Sequence, residues 1–220
     1  MTTKSGIVTA VIPVKSFRDA KSRLSSCLDA QSREKLARTM FLGVLEAVRG
    51  SRLLLDTFVV TADPEVSSLA QETGALVIHD HFLLGQSAAV RQAATLLKRQ
   101  KKRAMLTFPS DLPLLTTKDI DTLCHSIPEV PGVVVVPAAN DGGTNALLCT
   151  PPDCFEFHFG EDSYTKHLIE AKNRNLSFKS VDIRGFSLDI DRPDDLSEFM
   201  NRDFLKGPYA FLENFKKIYH

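Results

Sequence analysis

Ile7-Val8-Thr9-Ala10-Val11-Ile12-Pro13 is an apolar run of strand length, and the chain repeats such runs at 57–62, 75–80, 104–108 and 133–137. Between most of them lie stretches with helical periodicity. The clearest covers 32–49, where Leu36, Met40, Phe41, Val44, Leu45 and Val48 form one apolar stripe and Gly50 is the expected stop. Weaker helical patterns cover 65–73, closed by Gly74, then 86–102 and 117–127. Strand and helix in alternation build a mostly parallel sheet flanked by helices, so the expected fold class is α/β.

After Val136 the rhythm changes. Strands are expected at 145–150 and 178–183, with a helix at 163–174 between them and a short strand at 187–191. These read as antiparallel additions to the sheet. Pro193 opens a last helix through about residue 205, with Asp194 and Asp195 in its favourable first turn. No linker, repeat or low-complexity segment divides the chain, and a single domain over 1–220 is expected.

Composition narrows the function classes. At 220 residues, 43% hydrophobic and 25% charged, the chain can bury one substantial core. Its longest apolar runs, 133–136 and 41–45, fall far short of the roughly 20 residues that cross a bilayer. Residues 1–6 lead into the first strand without an apolar signal region, so a cytoplasmic location is expected. A formal net charge of zero gives no global field for nucleic acid or a membrane surface, so an anion site must be local. The basic run 98–103 ends a helix and reads as a solvated helix terminus. Cys27, Cys124, Cys149 and Cys154 show no C-x-x-C spacing and read as reduced structural thiols.

Five segments could carry chemistry. The long loop after the first strand holds Lys15, Arg18, Lys21 and Arg23. Ligands of open α/β sheets collect at strand carboxyl ends, where Lys21 and Arg23 would meet a triphosphate; a solvent-facing basic loop is the alternative. In Pro109-Ser110-Asp111-Leu112-Pro113 two prolines restrict the backbone around an aspartate, which suits a metal ligand as well as a plain turn. In Leu188-Asp189-Ile190-Asp191-Arg192-Pro193 the carboxylates are spaced i, i+2, on one face of the expected strand. A bound Mg²⁺ would explain that pairing, since it takes one or two protein carboxylates. Otherwise Asp191 is the N-cap of the helix opened by Pro193.

Asn140-Asp141-Gly142-Gly143-Thr144-Asn145 offers flexible backbone and neutral hydrogen-bonding groups toward an anion, or an ordinary hairpin turn. Phe159-Gly160-Glu161-Asp162-Ser163 leads into a helix start that could bind phosphate, or that Ser163 simply caps. His79-Asp80-His81 lacks a third ligand at telling spacing and reads as a polar loop.

Taken in order, Ala20-Lys21-Ser22-Arg23-Leu24, Ser110-Asp111-Leu112-Pro113 and the block from Asp141 to Leu147 resemble the 2-phospho-L-lactate guanylyltransferase (CofC) family of coenzyme F(420) biosynthesis. Phe159-Gly160 with Ser163 and His167, and Leu188-Asp189-Ile190-Asp191 with Pro193, continue the resemblance over nearly the whole chain. It implies a Rossmann-like nucleotidyltransferase fold, with a nucleotide half at about 1–112 and an acceptor and metal half at about 113–205. It also implies GTP as co-substrate, Mg²⁺ or alternatively Mn²⁺ on Asp111, Asp189 and Asp191, and acceptor contacts from Thr144, Gly160 and Ser163.

The family's acceptors are 2-phospho-L-lactate, phosphoenolpyruvate and 3-phospho-D-glycerate. Nucleotide contacts are expected from Lys15, Gly85 and Ser87, with Lys21 and Arg23 stabilising the departing pyrophosphate. A homodimer is compatible with this picture. The chain departs from the family's Gly-Leu-Asn-Ala-Ala at Gly85-Gln86-Ser87-Ala88-Ala89, and Glu161-Asp162 replaces smaller residues. The first departure bears on the base, the second on the acceptor.

Overall fold

The computed structural model describes residues 6–81, 83–128, 130–139, 142–202 and 207–218. Seven strands among them form one sheet: β1 (Val8–Pro13), β2 (Leu54–Thr61), β3 (Leu76–His79), β4 (Ala104–Thr107), β5 (Gly132–Pro137), β6 (Thr144–Thr150) and β7 (Ser177–Ser180). Their order is β3-β2-β1-β4-β6-β5-β7. The helices are α1 (Ala30–Gly50), α2 (Pro64–Glu72), α3 (Gln86–Arg99), α4 (Thr117–His125), α5 (Ser163–Asn173) and α6 (Pro193–Met200). No helix among the described residues is long and apolar enough to cross a membrane.

Both faces of the sheet are covered, which is why β1 and β5 read as continuous apolar runs rather than alternating ones. Val8, Ala10 and Ile12 of β1 join one cluster with Phe41, Val44 and Val48 of α1, while Val11 joins a second with Val90, Ala93 and Leu97 of α3. β5 alternates likewise, with Val134 and Val136 in the first cluster and Val133 and Val135 in the second. A third cluster lies apart from both and holds Leu24, Leu28, Leu36, Met40, Leu188, Ile190, Leu196 and Phe199. Its members flank the polar segments singled out above. Tyr209 and Leu212, from a 3-10 stretch at Gly207–Ile218, complete it.

The connections set the site. β1 pairs in parallel with β2 on one side and β4 on the other, so the loops leaving their carboxyl ends diverge and open a crevice. β6 runs antiparallel to both β4 and β5. Its first residues, Thr144 and Asn145, therefore stand at the same edge as the ends of β1 and β4.

Several expectations are corrected. Residues 187–191 form no strand; a 3-10 turn at Arg184–Phe186 precedes an irregular segment. The alternation that imitates a strand arises because Leu188 and Ile190 dip into the third cluster. β7 is parallel to β5 rather than antiparallel, and ends at Ser180. α3 stops at Arg99, before Lys101 at φ 56°, and α4 stops at His125. α6 ends at Met200, short of the expected 205, and residues 203–205 of that span lie outside the described residues, as do Asn140 and Asp141.

α1 ends at Gly50 as expected, and a Cβ there would lie 2.3 Å from Thr117 Oγ1, so the glycine also permits α4 to approach. Ser163 is the first helical residue rather than the cap, which is Asp162 at φ 53°. The residue preceding α6 is Arg192, not Asp191.

Candidate active site

The loop from β1 folds back over the strand ends. Lys21 takes a left-handed conformation (φ 56°) and starts a 3-10 turn at Ser22–Leu24, whose Leu24 is buried in the third cluster. That anchor aims the two cations on either side of Ser22 at the crevice. Lys21 Nζ donates to Asp111 Oδ2 and, at 3.3 Å, to Asp191 Oδ1, while Arg23 donates to Asp191 Oδ2 at 2.8 Å. Segments remote in sequence thus meet in one ionic cluster. Burial, the largest single influence, pulls Lys21 down, but Asp111 and Asp191 together outweigh it and its pKa is raised. The ammonium stays charged.

Asp189 completes the acidic group. Leu188 and Ile190 pin its backbone to the core, and the Ile190 N–H donates to the Asp111 carbonyl oxygen at 3.3 Å, which ties the two acidic segments together. Burial first, and the Asp111 charge second, push the Asp189 carboxyl up to about 6, against a hydrogen bond from Asn145 Nδ2 at 3.1 Å. Asn145 Nδ2 also donates to the Phe186 carbonyl at 2.8 Å. Asp195 accepts from the Asp191 and Arg192 amides at 3.1 and 2.7 Å, fixing the far end of the segment.

Among the described residues no three acidic, His or Cys side chains gather at metal-ligand spacing, and Lys21 stands between Asp111 and Asp191. The donor set nevertheless fits a hard cation. Among the described residues Asp111 Oδ1 is buried without a hydrogen-bond partner, and the neighbouring Asp189 is destabilised in its charged form by that same Asp111. A buried orphan oxygen beside a repelled carboxylate is an arrangement that a divalent ion would relieve.

A second, neutral group lies at the start of β6. Thr144 Oγ1 and His167 Nδ1 are 3.1 Å apart, and His167 Nε2 accepts the His158 N–H at 3.0 Å. Burial, with the His158 charge second, pushes His167 down to about 4, so its ring is neutral near pH 7. Ser163 is buried beside it, and Gly160 stands at φ 113°, a conformation that favours glycine. The Tyr164 N–H donates to the Gly142 carbonyl at 3.1 Å, locking the glycine turn to the start of α5.

The expected nucleotide contacts fall at the same edge but act differently. Gly85 precedes α3 at φ 89°, and no side chain caps that helix. Ser87 Oγ accepts the Phe159 N–H at 2.9 Å, so it links the α3 start to the loop carrying Gly160. Lys15 is exposed, with no ion pair among the described residues. Sequence reading assigned no bridge to Asn145, no partner to His167 and no loop contact to Ser87. The polar type of each was visible, but its partner lies on another element. The rings of His79 and His81 meet edge-on at 4.7 Å.

The chain is similar to known proteins over most of its length. The model of the family described as "Guanylyl transferase CofC like" matches residues 8–217. A phosphoenolpyruvate guanylyltransferase from Sphaerobacter thermophilus is 34% identical over 86% of this chain and 90% of its own. A 2-phospho-L-lactate guanylyltransferase from Methanothermobacter thermautotrophicus is 32% identical over 87% and 83%, and a 3-phospho-D-glycerate guanylyltransferase from Colwellia psychrerythraea 34% over 84% and 88%. Among solved structures, a nucleotide-diphospho-sugar transferase from Desulfovibrio desulfuricans G20 superposes with a TM-score of 0.78 at 15% identity, covering 95% of both chains. A CMP:2-keto-3-deoxy-manno-octonic acid synthetase superposes at 0.55 and 12%, covering 88% of this chain and 97% of its own. These two speak for the nucleotidyltransferase fold alone. The chain belongs to the CofC-like guanylyl transferase family.

Proposed function

We propose that this guanylyltransferase joins GMP from GTP to a phosphorylated three-carbon acid of the 2-phospho-L-lactate, phosphoenolpyruvate and 3-phospho-D-glycerate type, releasing pyrophosphate. The names of its relatives span all three acids at nearly equal identity, so they support the class rather than one member. Coenzyme F(420) biosynthesis is the proposed setting, in the cytoplasm.

One observation carries the reading: Lys21, Arg23, Asp111, Asp189 and Asp191 share one edge of the sheet, beside the β1/β4 crevice. Two cations held there by carboxylates can turn to a triphosphate, and the α3 start at Gly85 offers uncapped amides to the same ligand. A phosphate oxygen of the acceptor attacks the α-phosphorus of GTP, and the bond to the β-phosphate breaks as pyrophosphate leaves. That nucleophile is already anionic, so no general base is needed. The protein's contribution is positioning and charge neutralisation. Lys21 and Arg23 meet charge on the departing pyrophosphate, while Thr144, Gly160 and Ser163 hold the acceptor in line.

Asp111 and Asp189 are the residues that would hold Mg²⁺ or Mn²⁺, with Asp191 the third carboxylate at that edge. When bound, the ion supplies further charge neutralisation on the phosphates. Pyrophosphate release measured for GTP and ATP against each of the three acids tests the proposal. Release with GTP and at least one acid, with a product whose mass is the acid plus GMP, is expected. Failure of every acid, or equal use of ATP, would overturn it.

A further inference from the structure

His167 is fully buried, and its two ring nitrogens face different partners. The partner of Nε2 is the His158 backbone N–H, which can only donate. Nε2 must therefore carry the lone pair, and in a neutral imidazole the single proton then sits on Nδ1. Nδ1–H faces Thr144 Oγ1 at 3.1 Å and has no alternative but to donate to it. A threonine hydroxyl that accepts in this way keeps its own proton for someone else. Among the described residues Thr144 Oγ1 has no second partner, and Thr144 opens β6 at the edge where Asn145 reaches Asp189.

We infer that His167 is a positioning residue for acceptor recognition: through its Nδ1–H it orients the Thr144 hydroxyl as a hydrogen-bond donor toward the anionic acceptor. The inference rests on the proposed function for the identity of that anion, but the polarity of the chain His158 N–H to His167 to Thr144 does not. Such a relay gives the site a donor of fixed direction without placing a cation there. A cation would bind the triphosphate as readily as the acid, whereas a single oriented hydroxyl separates the two by position. The rings of Phe155 and Phe159, at 5.5 and 5.3 Å from that of His167, hold the imidazole plane.

Two measurements test this. Long-range ¹H–¹⁵N correlation spectra of the labelled wild-type protein at pH 7 report the tautomer directly. Protonated Nδ1 with bare Nε2 is expected; the opposite tautomer or a doubly protonated ring overturns the inference, whatever the enzyme turns over. Steady-state kinetics with GTP and the best of the three acids then separates positioning from mere packing. His167→Phe keeps an aromatic ring but no donor, and should raise the acceptor KM about ten- to hundredfold while moving the GTP KM less than about twofold. His167→Asn, with an amide N–H near the Nδ1 position, should recover most of that loss.

Adding Thr144→Val to His167→Phe should cost little beyond either change alone, because both remove the same oriented donor. Additive losses, or equal rises in both KM values, would show that His167 only supports the fold. If wild type released no pyrophosphate with any acid, the guanylyltransferase reading would fail, and the tautomer spectrum would still decide the relay.

Discussion

The two ends of the site are built on opposite principles. At the β1/β4 crevice, long charged side chains hold one another: Lys21 bridges Asp111 and Asp191, Arg23 adds a second cation, and Asp111 Oδ1 is left without a partner. At the start of β6, short neutral groups sit in a directed hydrogen-bond chain through the His158 amide, His167 and Thr144. The first end is unsatisfied and ready to exchange partners with a polyanion. The second is already arranged, and under the proposed function it would read a small acid by the direction of its donor. On the proposed function, charge would supply affinity for the triphosphate and preorganised dipoles would supply position for the acceptor.

If the charged end does the chemistry, Asp189→Asn should have the largest effect on turnover, a loss of about 10³-fold or more, since a ligand of the charge-neutralising ion is removed. The same change should stabilise the metal-free protein. Asp189 is pushed up to about 6 by burial and by Asp111 from an ordinary 3.8, so the folded state holds its proton longer than the unfolded chain. Stability on this account falls as pH rises from 3.8 to 6, and the whole loss is present above 6. Calorimetry at pH 8 should show a gain on the order of 1–2 kcal/mol for the Asn variant, allowing for solvent screening. A drop in melting temperature would contradict the assignment of a repelled carboxylate.

Lys21→Met comes next. Its ammonium is buried between two acids, and removing it leaves Asp111 without compensation, at a cost of about 3 kcal/mol in unfolding titrations. Transfer should fall about a hundredfold, with the loss concentrated in kcat/KM for GTP.

The neutral end is sharpened by acid. His167 is depressed from 6.5 to about 4, so the unfolded chain binds the extra proton first, and stability is lost as pH falls through that window. Urea titrations across pH 4 to 7 should show up to about 3 kcal/mol of acid-sensitive stability. That sensitivity should be largely absent in His167→Phe. His158, Glu170 and Lys166 are the charged neighbours that act on it. Smallest is Arg23→Gln. With its side chain 63% exposed, Arg23 should contribute under about 1 kcal/mol to stability, and a several-fold rise in GTP KM should shrink as salt is added.

The contrast also explains what the sequence could reveal. Apolar runs such as 7–13 and 133–137 announce their strands because both sheet faces are buried, a condition written into each run by itself. The acidic and basic residues of the charged end were visible as types in suggestive segments. That Lys21 would stand between Asp111 and Asp191 was not, since its partners lie 90 and 170 residues away.

Leu188 and Ile190 imitated a strand because a separate cluster buries them, while Gly50 ends α1 where expected and its second role, admitting Thr117, lies in another element. His167 was legible only as part of a motif. Its role follows from an amide at His158 and a hydroxyl at Thr144, and no spacing rule connects those three.

At the charged end, the proposed step is attack of the acceptor's phosphate oxygen on the α-phosphorus of GTP. Turnover with an acid whose phosphate oxygens carry ¹⁸O, followed by ³¹P spectroscopy, tests it most directly. An isotope shift is expected at the phosphorus derived from the α-phosphate of GTP, from a bridging labelled oxygen, together with unlabelled pyrophosphate. An α-derived phosphorus with no shift, or label in the pyrophosphate, would contradict it.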